Sequence, residues 1–388
     1  MAASYIPFVN NDDDANLVAK HYADAEVARV PIHRAKNRKK CLPGGIGLWV
    51  DPCIDGIPDA DEDSEFWTFM SKFPEAPLLR DPGFVSKPDK DKIQRLVATV
   101  LDECRGQSPK WISVPQLAQG DSTARNKINK MLAGASGEWR RKSSFHGSVI
   151  LPIIFTHKKQ LDKKTNWGPR LRSARTAYDE ASASGVWVVD ASLNDTKGTG
   201  NFESERFPEL VKLHEGVLEV LPSGAVVVAG PYWGMNLVLW ARGLITHPAI
   251  GVGGGYQYFA SGGRFSAATP RLALKSLRRM ARADDNLKTW LETAVRSLPP
   301  GEESTIDLGE VANRFRVLRL QPKAQIAEAY KEWLDLLTRS PQSGRALALY
   351  QDLSAAYVLG KSLKNIPGED GRAKRPEIPA KQLMLSCL

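Results

Sequence analysis

The sequence predicts an α/β fold: an irregular (β/α)8 TIM-like barrel followed by an α-helical C-terminal extension. Three observations lead there. About eight short apolar runs alternate with helix-like stretches over roughly the first 260 residues, the size and rhythm of such a barrel. One run, "SVILPIIFTH", is almost continuously apolar, as a strand covered on both faces is. After Gly263 the strand-like runs stop and helical patterns take over. A doubly wound open sheet is the rival, because it gives the same alternation. The expected divisions are a barrel over 1–263, a helical extension over 264–366 and a polar tail over 367–388.

The elements follow in order. "SYIPFV" is short and β-rich, and "NDDDANLVAKHYADAE" then opens with acidic residues that suit a helix N-terminus. "VARVPIH" and "GIGLWVDP" are the second and third strands, and the segment between them, His33 to Gly45, is too short for a full helix. Helices are expected near Ser64 to Phe73 and Asp89 to Arg105, then the strand "WISVPQL". "GDSTARNKINKMLAGA" begins with cap residues and reads as a helix. "GPRLRSARTAYDEASASG" carries Pro169 near its first turn and Gly185 past its end. The strands "VWVVDAS" and "GAVVVAG" flank the helix "RFPELVKLHEGVLEVL", and "GMNLVLWARGL" leads to the last strand, "AIGVGGG". Beyond it, "TPRLALKSLRRMARADDNLKTWLETAVRSL", "DLGEVANRFRVL", "AQIAEAYKEWLDLLTRS" and "GRALALYQDLSAAYVLGKSL" read as successive helices, punctuated at "LPPGEES" and "SPQSG".

Composition narrows the class. Hydrophobic residues make up 42% and charged residues 25% of the 388, ordinary for a chain that buries a core. No apolar run approaches the roughly 20 residues a bilayer span needs, so no membrane partner is expected. The N-terminus has no basic segment before an apolar one, which points to the cytoplasm. Cys41, Cys53, Cys104 and Cys387 form no CxxC pair and have no His at ligand spacing, which argues against structural zinc and a disulfide framework. Neither metal nor cofactor is expected. The net charge of +9 favours polyanions, nucleic acid first.

In a barrel of this class, function sits at the carboxyl ends of the strands. Asp51 ends the third strand and Asp190 the sixth, each after an apolar run containing a tryptophan. Facing one mouth, two such carboxylates suit general acid/base or nucleophilic work. Equally, an Asp at a strand end can simply cap the next turn. Gln116 and His157 follow two further strands and are candidate ligand contacts, although His157 also begins the solvated basic loop "HKKQLDKK". Tyr232, Trp233 and Asn236 follow the seventh strand; Gly253, Gly254, Gly255 and Tyr256 follow the eighth. Glycines without a Cβ let phosphate approach backbone amides, and the aromatic rings can stack a base above them. The same glycines also suit a tight turn. Neither GxGxxG with its acidic partner nor GxxxxGK[ST] is present. Basic runs such as "HRAKNRKK" and "HKKQLDKK" are expected in loops at the same face.

Glycine-rich last loops over a barrel, on a basic protein, resemble the tRNA-guanine transglycosylase class in architecture. That class's cysteine/histidine zinc site has no counterpart here, and no Asp stands in the last strand loop, so no residue role carries over.

The expectation is therefore a nucleotide- or nucleic-acid-binding barrel acting on a glycosidic or phosphate ester bond. The alternative is a non-catalytic accessory subunit of a nucleic-acid-handling or host-defence complex, docking a protein partner through its C-terminal helices.

Overall fold

The computed structural model describes residues 4–120, 123–193, 206–252 and 270–388. Along the chain run β1 (Ile6–Phe8), α1 (Asp12–His21), β2 (Val27–Pro31), α2 (Ile32–Arg38), β3 (Gly47–Asp51), α3 (Glu65–Met70), α4 (Pro82–Ser86) and α5 (Lys90–Gly106). Then come β4 (Trp111–Ser113), α6 (Thr123–Ser143), β5 (Ser148–Phe155), α7 (Lys164–Glu180), β6 (Gly185–Asp190), α8 (Phe207–Val220), β7 (Val226–Ala229), α9 (Met235–Ala241) and β8 (His247–Gly251). The C-terminal part holds β9 (Arg271–Leu274), β10 (Arg279–Arg282), α10 (Asp285–Ser297), α11 (Glu303–Asn313), α12 (Phe315–Leu320), α13 (Pro322–Arg339), α14 (Arg345–Ser362) and α15 (Glu377–Ser386).

Strands β1 to β8 form a closed barrel in chain order, every pair parallel, which decides against the open sheet. Closure runs through β1 and β8, with Ile6 beside Ala249 and Phe8 beside Gly251. Two side-chain sets explain why these sequences close. Alternate strand residues fill the interior: Phe8, Trp49, Trp111, Ile150, Ile154, Trp187, Val189 and Val228 share one buried cluster. Residues of the opposite parity face the helices, and α5 answers them with Ile93, Leu96, Val97, Val100, Leu101 and Cys104, a helical stripe of buried residues. Asp89 starts α5 by accepting the Lys92 N–H, a cap contributing about 1 kcal/mol.

The contact pattern divides the chain into two units that interleave in sequence. One comprises 1–192, 209–232 and 244–264, and holds the barrel strands; the other comprises 193–208, 233–243 and 265–388. The second unit therefore takes in α9 as well as the C-terminal elements. Its core gathers Leu272, Leu274, Leu277, Trp290, Leu291, Leu308, Val311, Phe315 and Leu363.

Three local expectations are corrected. "HRAKNRKK" is not a loop: Ile32–Arg38 form the two-turn α2, because Pro31 sets an extended entry and the following residues are mostly good helix formers. "TPRLALKSLRRMAR" is not a helix but an antiparallel hairpin, with Leu274 beside Arg279 and Arg271 beside Arg282. Its turn carries Arg278 at φ 48°, and helix begins only where Asp284 caps α10. The free edge of β9 is covered by Gln325 of α13, whose side-chain amide exchanges two hydrogen bonds with Ala273, at 2.8 and 2.6 Å. Within 367–388, expected as a polar tail, Glu377–Ser386 form α15 and bury Pro379, Ala380, Leu383 and Met384.

Candidate functional site at the barrel rim

Because every barrel strand is parallel, all carboxyl ends emerge at one rim. Asp51 is the last residue of β3 and Asp190 the last of β6, so both stand on it. Both are buried. Below them the barrel is filled: Phe8, Trp49 and Trp187 pack edge-on at centroid distances of 5.3 to 5.8 Å. Their indole donors are used inside the barrel, Trp49 Nε1 on Ser113 Oγ at 2.9 Å and Trp187 Nε1 on the Gly230 carbonyl at 2.8 Å.

The most unusual group on this floor is Arg29. It lies on β2 beside Trp49, and its guanidinium sits 5.0 Å from the Phe8 ring centroid and 5.4 Å from that of Trp187. Nε and Nη2 both donate to Asp51 Oδ2, at 2.9 and 2.5 Å, and both side chains are only 3% exposed. The other Asp51 oxygen accepts the Cys53 N–H at 3.0 Å. Arg29 Nη1 reaches Asn10 Oδ1 at 3.5 Å, and Nη2 lies 3.1 Å from Cys53 Sγ. Residues at the carboxyl ends of β1 and β3 thus converge on one buried cation from β2. Cys53 holds a left-handed φ of 54°, a conformation that costs energy in a non-glycine residue. Burial, and then the Asp51 charge, push its thiol well above the ordinary range, so it stays protonated and is a poor nucleophile.

Asp190 is built differently. Its Oδ1 accepts the Ser192 N–H at 2.9 Å and the Ser192 hydroxyl at 2.6 Å, an Asx turn leaving the strand. Its own N–H donates to the Tyr232 hydroxyl at 2.6 Å. Tyr232 is buried, so its ring is part of the barrel wall and presents no stacking face to solvent.

The remaining expected residues fall as follows. Gln116 is buried, and its amide donates to the carbonyls of Pro115 and Asn129. His157 is exposed after β5, at the start of the basic loop. Trp233 and Asn236 belong to the second unit. There Asn236 Oδ1 accepts the Tyr330 hydroxyl at 2.6 Å, and Trp233 packs 5.0 Å from Tyr330 and 6.0 Å from Trp333. Gly253, Gly254, Gly255 and Tyr256 lie outside the described residues. The sequence reading missed Arg29 and Asn10, and gave Cys53, two residues past Asp51, no role. One signal for Arg29 was available: a charged residue in the middle of an apolar strand has to be paired.

Among the described residues, no cluster of three or more His, Cys, Asp or Glu is arranged to hold a metal ion. No helix among them is long and apolar enough to cross a membrane. No protein-family model matches the chain, and no curated protein matches it. Among solved structures it is similar to the enoyl reductase domain of MlnA from the macrolactin biosynthesis cluster of Bacillus amyloliquefaciens. The identity is 8%, the match covers 100% of this chain and 94% of that one, and the TM-score is 0.31. A likeness at that level carries no argument about function.

Proposed function

We propose that the barrel unit binds a phosphate-bearing ligand, a nucleotide or a nucleic-acid strand, at its carboxyl-end rim. The observation that carries this reading is the exposed basic loop where β5 leaves the rim; beneath the mouth the Arg29–Asp51 pair, each side chain 3% exposed, is neutral as a unit and fixes the aromatic floor. Exposed lysines of the loop after β5, Lys159 and Lys163, add sequence-independent attraction for phosphate. Asp51 holds Arg29 and the Cys53 N–H with its two oxygens, so its role is positioning; for a reaction at a glycosidic or phosphate ester bond, Asp190 is the proton carrier we put forward.

The test is a salt series of binding to single-stranded and duplex DNA and RNA and to mononucleotides. With about four phosphate contacts, affinity for duplex should fall about a hundredfold between 50 and 200 mM salt. Replacing Lys159 and Lys163 by alanine should lower the slope by about two. Binding that is absent, or indifferent to salt, sinks the reading.

One observation favours the accessory-subunit alternative. In the second unit Ile306, Val317, Leu320, Leu347 and Val358 are exposed, Leu320 to 83%, as on a surface awaiting a partner. Hydrolysis or base release that is abolished by Asp190→Asn decides for an enzyme. Binding without any turnover decides for the accessory role.

A further inference from the structure

A second polar cluster lies within the second unit. A cavity of about 210 Å³ is lined by residues of β9, β10 and α10 and by Lys374. Three of its lining residues are cations, Arg279, Arg282 and Lys374, against one carboxylate, Asp284. That carboxylate is already used, accepting the Leu287 N–H at 2.9 Å as the cap of α10.

Two donors at this cavity have no hydrogen-bond partner among the described residues: Arg279 Nε and Trp290 Nε1, both enclosed. Trp290 is only 2% exposed. A buried donor left unpaired is costly, and native structures rarely keep one without a ligand or water to accept from it. Elsewhere Arg279 makes one long contact, Nη1 to the Arg375 carbonyl at 3.3 Å. Burial lowers its pKa to about 10, against the opposing pull of Glu377. Its Nε is enclosed while the residue as a whole is half-buried. Counting Glu377 with Asp284, the cations still exceed the carboxylates by one. The rest of the wall, Leu274, Ala281, Leu287 and the Trp290 ring, is apolar.

We propose that this cavity is a binding site for a small organic anion: one phosphate or carboxylate group, met by Arg279, Arg282 and Lys374, on a flat apolar body lying against Trp290. The volume suits a molecule of one ring and its anionic group, and the enclosed indole N–H has no partner among the described residues. None of its lining residues belongs to the barrel strands, and the proposal does not rest on the reading given for the rim.

The probes are phenyl phosphate, benzoate and inorganic phosphate, titrated into the full-length protein labelled at tryptophan indole nitrogens. The signal is the Trp290 indole resonance, identified as the peak lost in Trp290→Phe. A saturable shift with phenyl phosphate or benzoate supports the site, and the stronger of the two assigns the anionic group. Inorganic phosphate should bind at least tenfold more weakly, because it lacks the apolar body. Arg279→Gln should weaken the better probe tenfold or more. Arg282→Gln, at an exposed position, should weaken it severalfold and keeps the test decisive should Arg279→Gln not fold. A Trp290 resonance unmoved by all three probes overturns the proposal. So does phenyl phosphate affinity unchanged in Arg282→Gln together with inorganic phosphate binding as tightly as the ring compounds.

Discussion

The Arg29–Asp51 pair shows what a single residue does in this barrel. Each side chain is 3% exposed, and each satisfies the other. Removing one partner leaves an uncompensated buried charge, at a cost of about 3–5 kcal/mol. Asp51→Asn and Arg29→Met should each lower the unfolding free energy from denaturant titration by that order, and the double substitution should lose far less than the sum, as a double-mutant cycle would measure. Additive losses would show that the pair is not coupled. Asp51 was legible in the sequence because it ends a strand-like run. Arg29 was not assigned, since no local pattern says which carboxylate, 22 residues on, will meet it. A second residue sets the acid response. His214, in α8, is fully buried; its Nδ1 sits 2.9 Å from the Leu210 carbonyl and its Nε2 has no partner among the described residues. Burial pushes its pKa down to about 4, and burial, then Arg34, do the same to His33. The unfolded chain, with histidines near 6.5, therefore binds more protons than the folded one between pH 6.5 and 4. Stability should be fully present above pH 6.5 and fall through that window, by up to about 3 kcal/mol for His214 alone. Urea midpoints across the window should show a shallower fall in His214→Gln.

At the scale of elements, packing reverses what local propensity says. Gly137 lies in α6, where an alanine would ordinarily add about 1 kcal/mol of helix stability. Here a Cβ would run into the Glu180 backbone carbonyl at the end of α7. Gly137→Ala should therefore destabilise, by about 1–3 kcal/mol through overpacking; a thermal midpoint equal to or above that of the unsubstituted protein would refute it. The long helices and the barrel strands were legible because their periods are sustained and their caps are local, as at Asp89. The hairpin of β9 and β10 was not. "LALKSLRRMA" offers apolar residues that fit a helix as well as two four-residue strands. The choice falls to strands where Leu272, Leu274 and Leu277 enter a common core with Trp290 and where Gln325 of α13 covers the exposed edge.

At the scale of the whole molecule, the second unit is not a contiguous C-terminal piece. Its members include α9, whose Asn236 accepts from Tyr330 and whose preceding Trp233 packs on Tyr330 and Trp333. Gly234, at φ 71°, lets the chain pass where a Cβ would strike Trp333 and Leu383. A fragment of residues 265–388 should thus show near-complete amide exchange in α13 and poor solubility. Supplying residues 233–243 through a linker should restore protection, and protection already complete without them would contradict this. The amino-acid sequence by itself determined the alternation of strands and helices, the number of barrel strands and the placing of Asp51 and Asp190 at strand ends. Those features depend on short-range periodicity, which a chain carries in every few residues. Only the tertiary structure decided that the ring closes, that Arg29 neutralises Asp51, that Tyr232 is consumed by the barrel wall and that α9 is grouped with the C-terminal helices. Each of these joins residues distant in sequence, and which distant residues meet is settled by the burial and charge pairing of the complete fold.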